Sequence, residues 1–441
     1  MLPLLTVFIA QSMFSIALPA IRDTFQIEAD TVSWTVIAFT LAFMMFMPLF
    51  GRLGDGLGRR RLLLVGTTVF LAGTLLTFLS PSLPLLLVGR LIQGTGAAAL
   101  SPLSMAIISD ATPAKEKGNA LGTWNSIGPI AHMVGPFAAG LIIDRLGWKI
   151  IFVPSLVIAA LSFLAVMKGI SREEAPANTV GFLKAFDWIG ALLLFAGTTF
   201  FVLYLSSRAI TGVSPLTDLR LLVPCLLFFA LFILQEKRHS HPLVSFDIFR
   251  QGDFALASIS AAIRMFVMSA TGFLVPLYLS DIKGVSATVI GTIVAGHSIS
   301  IMVTLRLGGR LGDLWTSRWP VVISTATQVL AMGFLALLSE SSPIVWFVTG
   351  LTIHGIGAGL SLAALHRSAL HDVSSRSAGI AAGLYGMTRY SGSLVGTAVA
   401  GILLRWGLTR GLLTVAAYQI VFWVLAAVCV GGVALGWRLR R

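Results

Sequence analysis

GRLGDGLGRRR at residues 51–61 sets four arginines, an aspartate and four glycines between two apolar runs, near 31–50 and 62–80. Its first five residues return as GRLGD at 309–313. About twenty residues of helix cross a hydrocarbon core of about 30 Å, so this is the pattern of a short connection at a membrane surface. Five identical residues at corresponding points predict two related halves, each with this connection after its second span.

The rest of the chain agrees. Of its 441 residues 56% are hydrophobic and only 11% are charged, and the mean hydropathy is +0.91. A soluble protein carries roughly twice that charged fraction. The apolar runs are continuous rather than alternating, which predicts helices and not barrel strands. Spans are expected near 4–21, 31–50, 62–80, 84–108, 119–142 and 150–168, then 188–207 and 219–235. Six more fall near 254–279, 286–305, 320–338, 344–365, 378–404 and 412–436, for a total of fourteen. The first run lacks the basic segment of a signal peptide and is read as a retained helix. Cys225 and Cys429 sit far apart inside apolar runs, so they read as small hydrophobic residues with no disulfide or metal role.

The net charge of +13 does not point to nucleic acid, because the basic residues lie in short groups between spans. Twenty of the 31 Lys and Arg fall in the loops after even-numbered spans or in the C-terminal tail, and eight in the opposite loops. That bias places both termini in the cytoplasm, in a multi-pass protein of the cell (inner) membrane. The expected organisation is a six-helix bundle at 1–168, a linker with an inserted helix pair at 169–252, and a second six-helix bundle with a basic tail at 253–441. The glycines of 51–61, Gly51 and Gly58 among them, are read as permitting a tight turn. Asp55 can meet a helix N-terminus or a basic partner.

These residues resemble the major facilitator superfamily over essentially the whole chain, specifically its fourteen-span drug/proton antiporter branch. GRLGDGLGRRR is similar to the family's signature loop. The resemblance implies a conformational latch formed by Gly51, Asp55, Gly58, Arg59 and Arg60, with Asp313 in the second copy. GRLIQGTGAA (89–98) is similar to the helix-4 motif, in which an arginine, here Arg90 beside Gln93, is tied to proton coupling. GPIAHMVGPFAAG (128–140) resembles the helix-5 antiporter motif, with Gly128, Gly135, Pro136 and Gly140 bending the helix and allowing close packing. SWTVIAFTLA (33–42), FDWIGALLLF (186–195), HPLVSFDIFR (241–250) and GMTRYSGSLVGTAVAG (386–401) extend the likeness. The fold it implies is all-α, two six-helix bundles plus an inserted pair.

The sequence departs from that branch in one respect. Its members usually carry an acid in helix 1, where this chain has Ala10, Gln11 and Ser12. All 18 acids map to one membrane surface or the other. The span interiors hold nitrogen bases instead: His132, Arg264, His297, His354 and Arg389 fall near mid-depth. Histidine titrates near neutral pH, so a proton pathway through the histidines is expected. Each histidine, standing alone in sequence, can equally be a neutral helix–helix bond. Arg264 has no acid one helical turn away, and an isolated buried cation is costly. It favours an anionic or zwitterionic amphiphile, unless it faces a neighbouring helix and caps carbonyls.

No catalytic set, HExxH or GxxxxGK[ST] is present, which argues against an enzyme or an ATP-driven pump and implies no cofactor. The expected function is export of amphiphilic small molecules, coupled to protons, by a monomer in the lipid bilayer. The alternatives are a lipid or lipid-linked anion transporter, an uncoupled facilitator, and a transport-dead receptor.

Overall fold

The computed structural model describes residues 1–113, 116–170, 186–205, 207, 213, 218–239, 246–371, 373 and 378–439. Of the positions named above, the side chains of Asp55 and Asp313 and residues 241–245 lie outside the described residues. Among those described, all regular structure is helical. The helices are α1 Leu2–Ile16, α2 Leu18–Phe25, α3 Ala29–Leu57, α4 Arg59–Leu79, α5 Leu83–Ala111, α6 Lys117–Leu146 and α7 Phe152–Gly169. They continue as α8 Trp188–Leu205, α9 Leu219–Arg238, α10 Phe254–Asp281, α11 Ala287–Leu314, α12 Arg318–Ala336, α13 Ile344–Leu370, α14 Ala378–Thr409 and α15 Thr414–Gly436. Among the described residues thirteen helices are long and apolar enough to span a bilayer, or fourteen when the bent pair α1–α2 counts as one span. Cys225 and Cys429 are buried free thiols.

Two local expectations are corrected. The first span is not straight: α1 and α2 meet at a 59° bend. Pro19 sits in the first turn of α2, and a proline ring clashes with the carbonyl four residues back while offering no N–H. The second correction concerns GRLGD, which is helical in both copies and not a loop. It forms the last turns of α3 and of α11, and Gly58 alone, at φ 92°, turns the chain into α4. Gly54 serves packing, whereas Gly51 has open space beside it. A Cβ on Gly54 would overlap Leu103 of α5, and one on Gly308, beside the second copy, would stand 2.7 Å from the Leu360 Cα of α13.

The chain divides into two compact units. The first comprises Met1–Ala10, Trp34–Gly128 and Phe152–Ser245. Here α4 and α5 run antiparallel at backbone contact, with Thr77 facing Gly89, Gly73 facing Gln93, Phe70 facing Gly96 and Gly66 facing Ala99. Lipid gives no hydrophobic drive for association, so close van der Waals packing at small residues holds such helices together. The inserted pair, α8 and α9, stacks Phe200 on Phe228 at 5.4 Å, and α8 meets α3 through Phe195 and Phe46 at 6.1 Å.

The second unit comprises Gln11–Ser33, Pro129–Ile151 and Phe246–Arg441. Within it, Gly392 and Gly396 bring α14 onto the carbonyls of Ala262 and Phe266 in α10. Gly355 brings α13 to 2.9 Å from the His297 carbonyl of α11, again measured from a built Cβ. Charged contacts tie the ends of the earlier helices to the later ones. Arg22 of α2 grips Asp281 of α10 through two bonds of 2.7 and 2.8 Å, and the Tyr418 hydroxyl donates to the same carboxylate at 2.6 Å. Arg405 of α14 donates to Asp30 of α3 at 2.5 Å.

Candidate functional site

In the first unit Arg90 is fully enclosed and fully engaged. Its Nε donates to the Thr35 carbonyl of α3 at 2.9 Å, and its Nη1 donates to Gln93 at 2.6 Å. Gln93 donates in turn to Thr74 of α4 at 2.9 Å, and the guanidinium lies 4.5 Å from the Phe39 ring centre. One arginine thus clamps three helices, and each bond is strong because no water competes for it. At the end of α4, Arg59 pairs with Asp110 of α5, while Arg60 donates to the Met167 carbonyl near the end of α7 at 2.8 Å. Arg60 therefore satisfies an orphan carbonyl of a helix C-terminus.

The helix-5 motif residues lie on α6 and split between the units. Gly128 faces Phe8, with a built Cβ 3.2 Å away. Gly135 accommodates the Ser12 side chain, and the Ser12 hydroxyl donates to the Ala131 carbonyl at 3.1 Å. So Ser12, next to Gln11 where an acid was expected, joins α1 to α6. Farther along, Pro136, Gly140 and Asp144 follow at i, i+4 and i+8 on one helix face. Pro136 meets Gly291, and Gly140 meets Ala287 and Thr288 at the start of α11. Asp144 accepts bonds from the Ala287 and Thr288 amides at 3.0 and 2.8 Å, capping that N-terminus with a negative charge. Asp144 was not singled out from sequence; its i+4 spacing from Gly140 was the available signal.

The histidines expected to stand singly do not all do so. His297 of α11 and His354 of α13 are bonded ring to ring, Nε2 to Nδ1, at 3.0 Å, with ring centres 5.1 Å apart and planes 19° apart. Gly355 permits this, because any side chain there would press on the His297 backbone. His354 is completely buried, and its Nε2 has no partner among the described residues. His132 of α6 is near enough for its charge to act on His297, and Arg264 near enough to act on His354. A bonded imidazole pair can accept a proton on one ring and release one from the other, with the tautomers exchanged.

Arg264 of α10 is 5% exposed and donates from Nε to the Ala358 carbonyl of α13 at 2.9 Å. This meets the carbonyl-capping expectation for one of its five donors. Arg389 of α14 stacks its guanidinium 4.9 Å from the Tyr390 ring centre. His366 and Tyr385, missed in the sequence, lie against each other at 4.8 Å beside these arginines. Among the described residues no cluster of three His, Cys, Asp or Glu suits a metal ion.

Long apolar helices with buried, bonded polar groups between them define a multi-pass membrane protein. The sequence profile of the Major Facilitator Superfamily matches residues 3–249 and 257–441, and the chain belongs to that family. Multidrug resistance protein Stp of Mycobacterium tuberculosis (strain CDC 1551 / Oshkosh) is 30% identical over 408 residues, spanning 92% of this chain and 75% of its own. The riboflavin transporter RibZ of Clostridioides difficile (strain 630) is 28% identical over 431 residues, spanning 96% and 92%. The uncharacterised MFS-type transporter YvkA of Bacillus subtilis (strain 168) is 28% identical over 428 residues, spanning 96% and 91%. In fold, a D-xylose–proton symporter superposes with a TM-score of 0.71 at 12% identity, covering 99% of this chain and 96% of that one. A bacterial homologue of the human lysosomal transporter Spinster gives 0.70 at 15% identity, with 99% and 94% covered. The chain is thus a transporter rather than an enzyme.

Proposed function

We propose that the protein exports amphiphilic small molecules across the cell membrane by alternating access, driven by protons, as a fourteen-span member of the drug/proton antiporter branch. Both termini face the cytoplasm in this reading. The six-helix bundles 1–168 and 253–441 form its halves, and 169–252 is an accessory insertion. The similarity to a multidrug resistance protein supports the cargo class, and the riboflavin transporter shows that relatives move other small molecules too.

The observation that carries proton coupling is the His297–His354 pair, with His354 fully buried, in a unit whose described acids lie at helix ends. A proton entering the pair meets His132 from α6 and Arg264 from α10. Two nearby cations repel at low dielectric, so the pair holds a second proton only when a compensating charge or solvent reaches it. Replacing His132, His297 and His354 together with Gln is expected to leave binding in place and flatten the pH dependence of transport in proteoliposomes. An unaltered pH profile would transfer coupling to the acids at the helix ends.

The latch reading rests on Asp55 in the first GRLGD copy. Asp55→Asn is expected to leave expression near normal and to cut transport about tenfold or more, as loss of one charge-assisted contact does. Unchanged flux would leave the motif a packing and topology element.

A further inference from the structure

Gly392 and Gly396 set α14 directly against the α10 backbone at Ala262 and Phe266, and across this packed pair the charge of Arg389 reaches Arg264. Among the described residues neither is paired with a carboxylate. Arg264 uses Nε for the Ala358 carbonyl, and its Nη1 approaches the Met265 sulfur at 3.8 Å. The Nε of Arg389 is buried and has no partner among the described residues. Both charges act on the Tyr385 hydroxyl, which is also buried and has no partner among the described residues, on a side chain only 2% exposed. His366 adds a ring against Tyr385, its Nδ1–H donating to the Leu362 carbonyl at 3.0 Å.

Two guanidinium groups and a phenol, drawn from α10 and α14 and sharing one apolar interior, are costly unless an acceptor meets them. Arginine forks match the two oxygens of a carboxylate or phosphate, and a phenol donates a third bond.

We infer that Arg264, Arg389 and Tyr385 form an anion subsite that takes the carboxylate or phosphate head of an amphiphile, leaving its apolar tail among the neighbouring apolar side chains. The inference names the charged end of the cargo and rests on the exporter reading for transport, but not for binding.

The test is fluorescence titration of the purified full chain in detergent with dansyl-labelled undecanoate and the matched dansyl-labelled undecylamine. The carboxylate is expected to bind about tenfold or more tightly than the amine, as one or two charge-assisted bonds give. Arg389→Gln should weaken the carboxylate about tenfold and leave the amine unchanged or tighter. Tyr385→Phe, which removes only the hydroxyl, should weaken the carboxylate by about threefold. Arg264 also holds a helix carbonyl, so these two variants carry the test if Arg264→Gln fails to fold.

Equal or tighter amine binding in the wild type overturns the inference, as does an anion affinity indifferent to both variants. Repeating the titration in nanodiscs, with and without phosphatidylglycerol, identifies the source of the anion. Competition marks a lipid head at the subsite, and its absence marks a soluble cargo; either result presupposes carboxylate binding. Should the carboxylate bind as expected yet stay unmoved in proteoliposomes, the export reading fails and the subsite stands.

Discussion

Arg90→Ala is expected to lower the stability of the folded protein by about 2–5 kcal/mol, from the buried acceptors it leaves unmet and the cavity it opens. The residue is 2% exposed and joins three helices through Thr35, Gln93 and, by way of Gln93, Thr74. Its loss strands the Gln93 oxygen in an apolar interior and opens a cavity against Phe39. Arg90→Lys should not rescue, since a single ammonium cannot reproduce two divergent bonds and a stacked plane. Thermal unfolding in detergent reads the effect. The family resemblance ties this arginine to proton coupling, which predicts the opposite pattern of normal melting and altered coupling. A melting temperature within a degree or so of wild type would favour that role over the structural clamp.

The second large effect is functional. Gly140→Leu should abolish transport, a loss of about a hundredfold or more, while the protein still folds. A side chain at Gly140 would collide with the Ala287 backbone and push α6 off the start of α11. Asp144 would then lose both amide bonds, each worth about 0.3–1 kcal/mol at this exposed helix end. On the proposed alternating-access reading this end is the outer one and has to close in each turnover, so the loss falls on transport. Asp144→Asn keeps the shape and removes the charge, so a partial loss of about tenfold is expected from it. Transport assays paired with size-exclusion profiles distinguish failed closure from failed folding. A fully active Gly140→Leu protein would show that this docking is dispensable.

Much of the architecture was legible from apolar periodicity. A bilayer leaves backbone groups unsatisfied unless they bond within a helix, so runs of about twenty apolar residues admit one solution. The span boundaries and the recurring GRLGD rested on that logic, and the helical spans are where it placed them. The same logic missed the helical state of GRLGD. Glycine ahead of charge reads locally as a turn, while Leu103 and Leu360 supply contacts that favour continuing the helix. The bend at Pro19 was readable in principle, because proline acts through its own ring and missing donor.

The candidate site was legible only as a set of residues. Sequence by itself determined that this is a multi-pass helical protein with arginines and histidines inside its spans and acids toward the span ends. Those properties depend on what each residue is and how far it lies from a span end. Only tertiary structure decided that His297 bonds His354, that Asp144 caps α11, and that Arg264 and Arg389 sit together with Tyr385 and His366. Each pairing joins different helices, often far apart in the chain, through contacts set by glycines such as Gly355, Gly140 and Gly392. A helix records in its own sequence which face is small. Which partner fills that face depends on the other helices, and no local pattern encodes it.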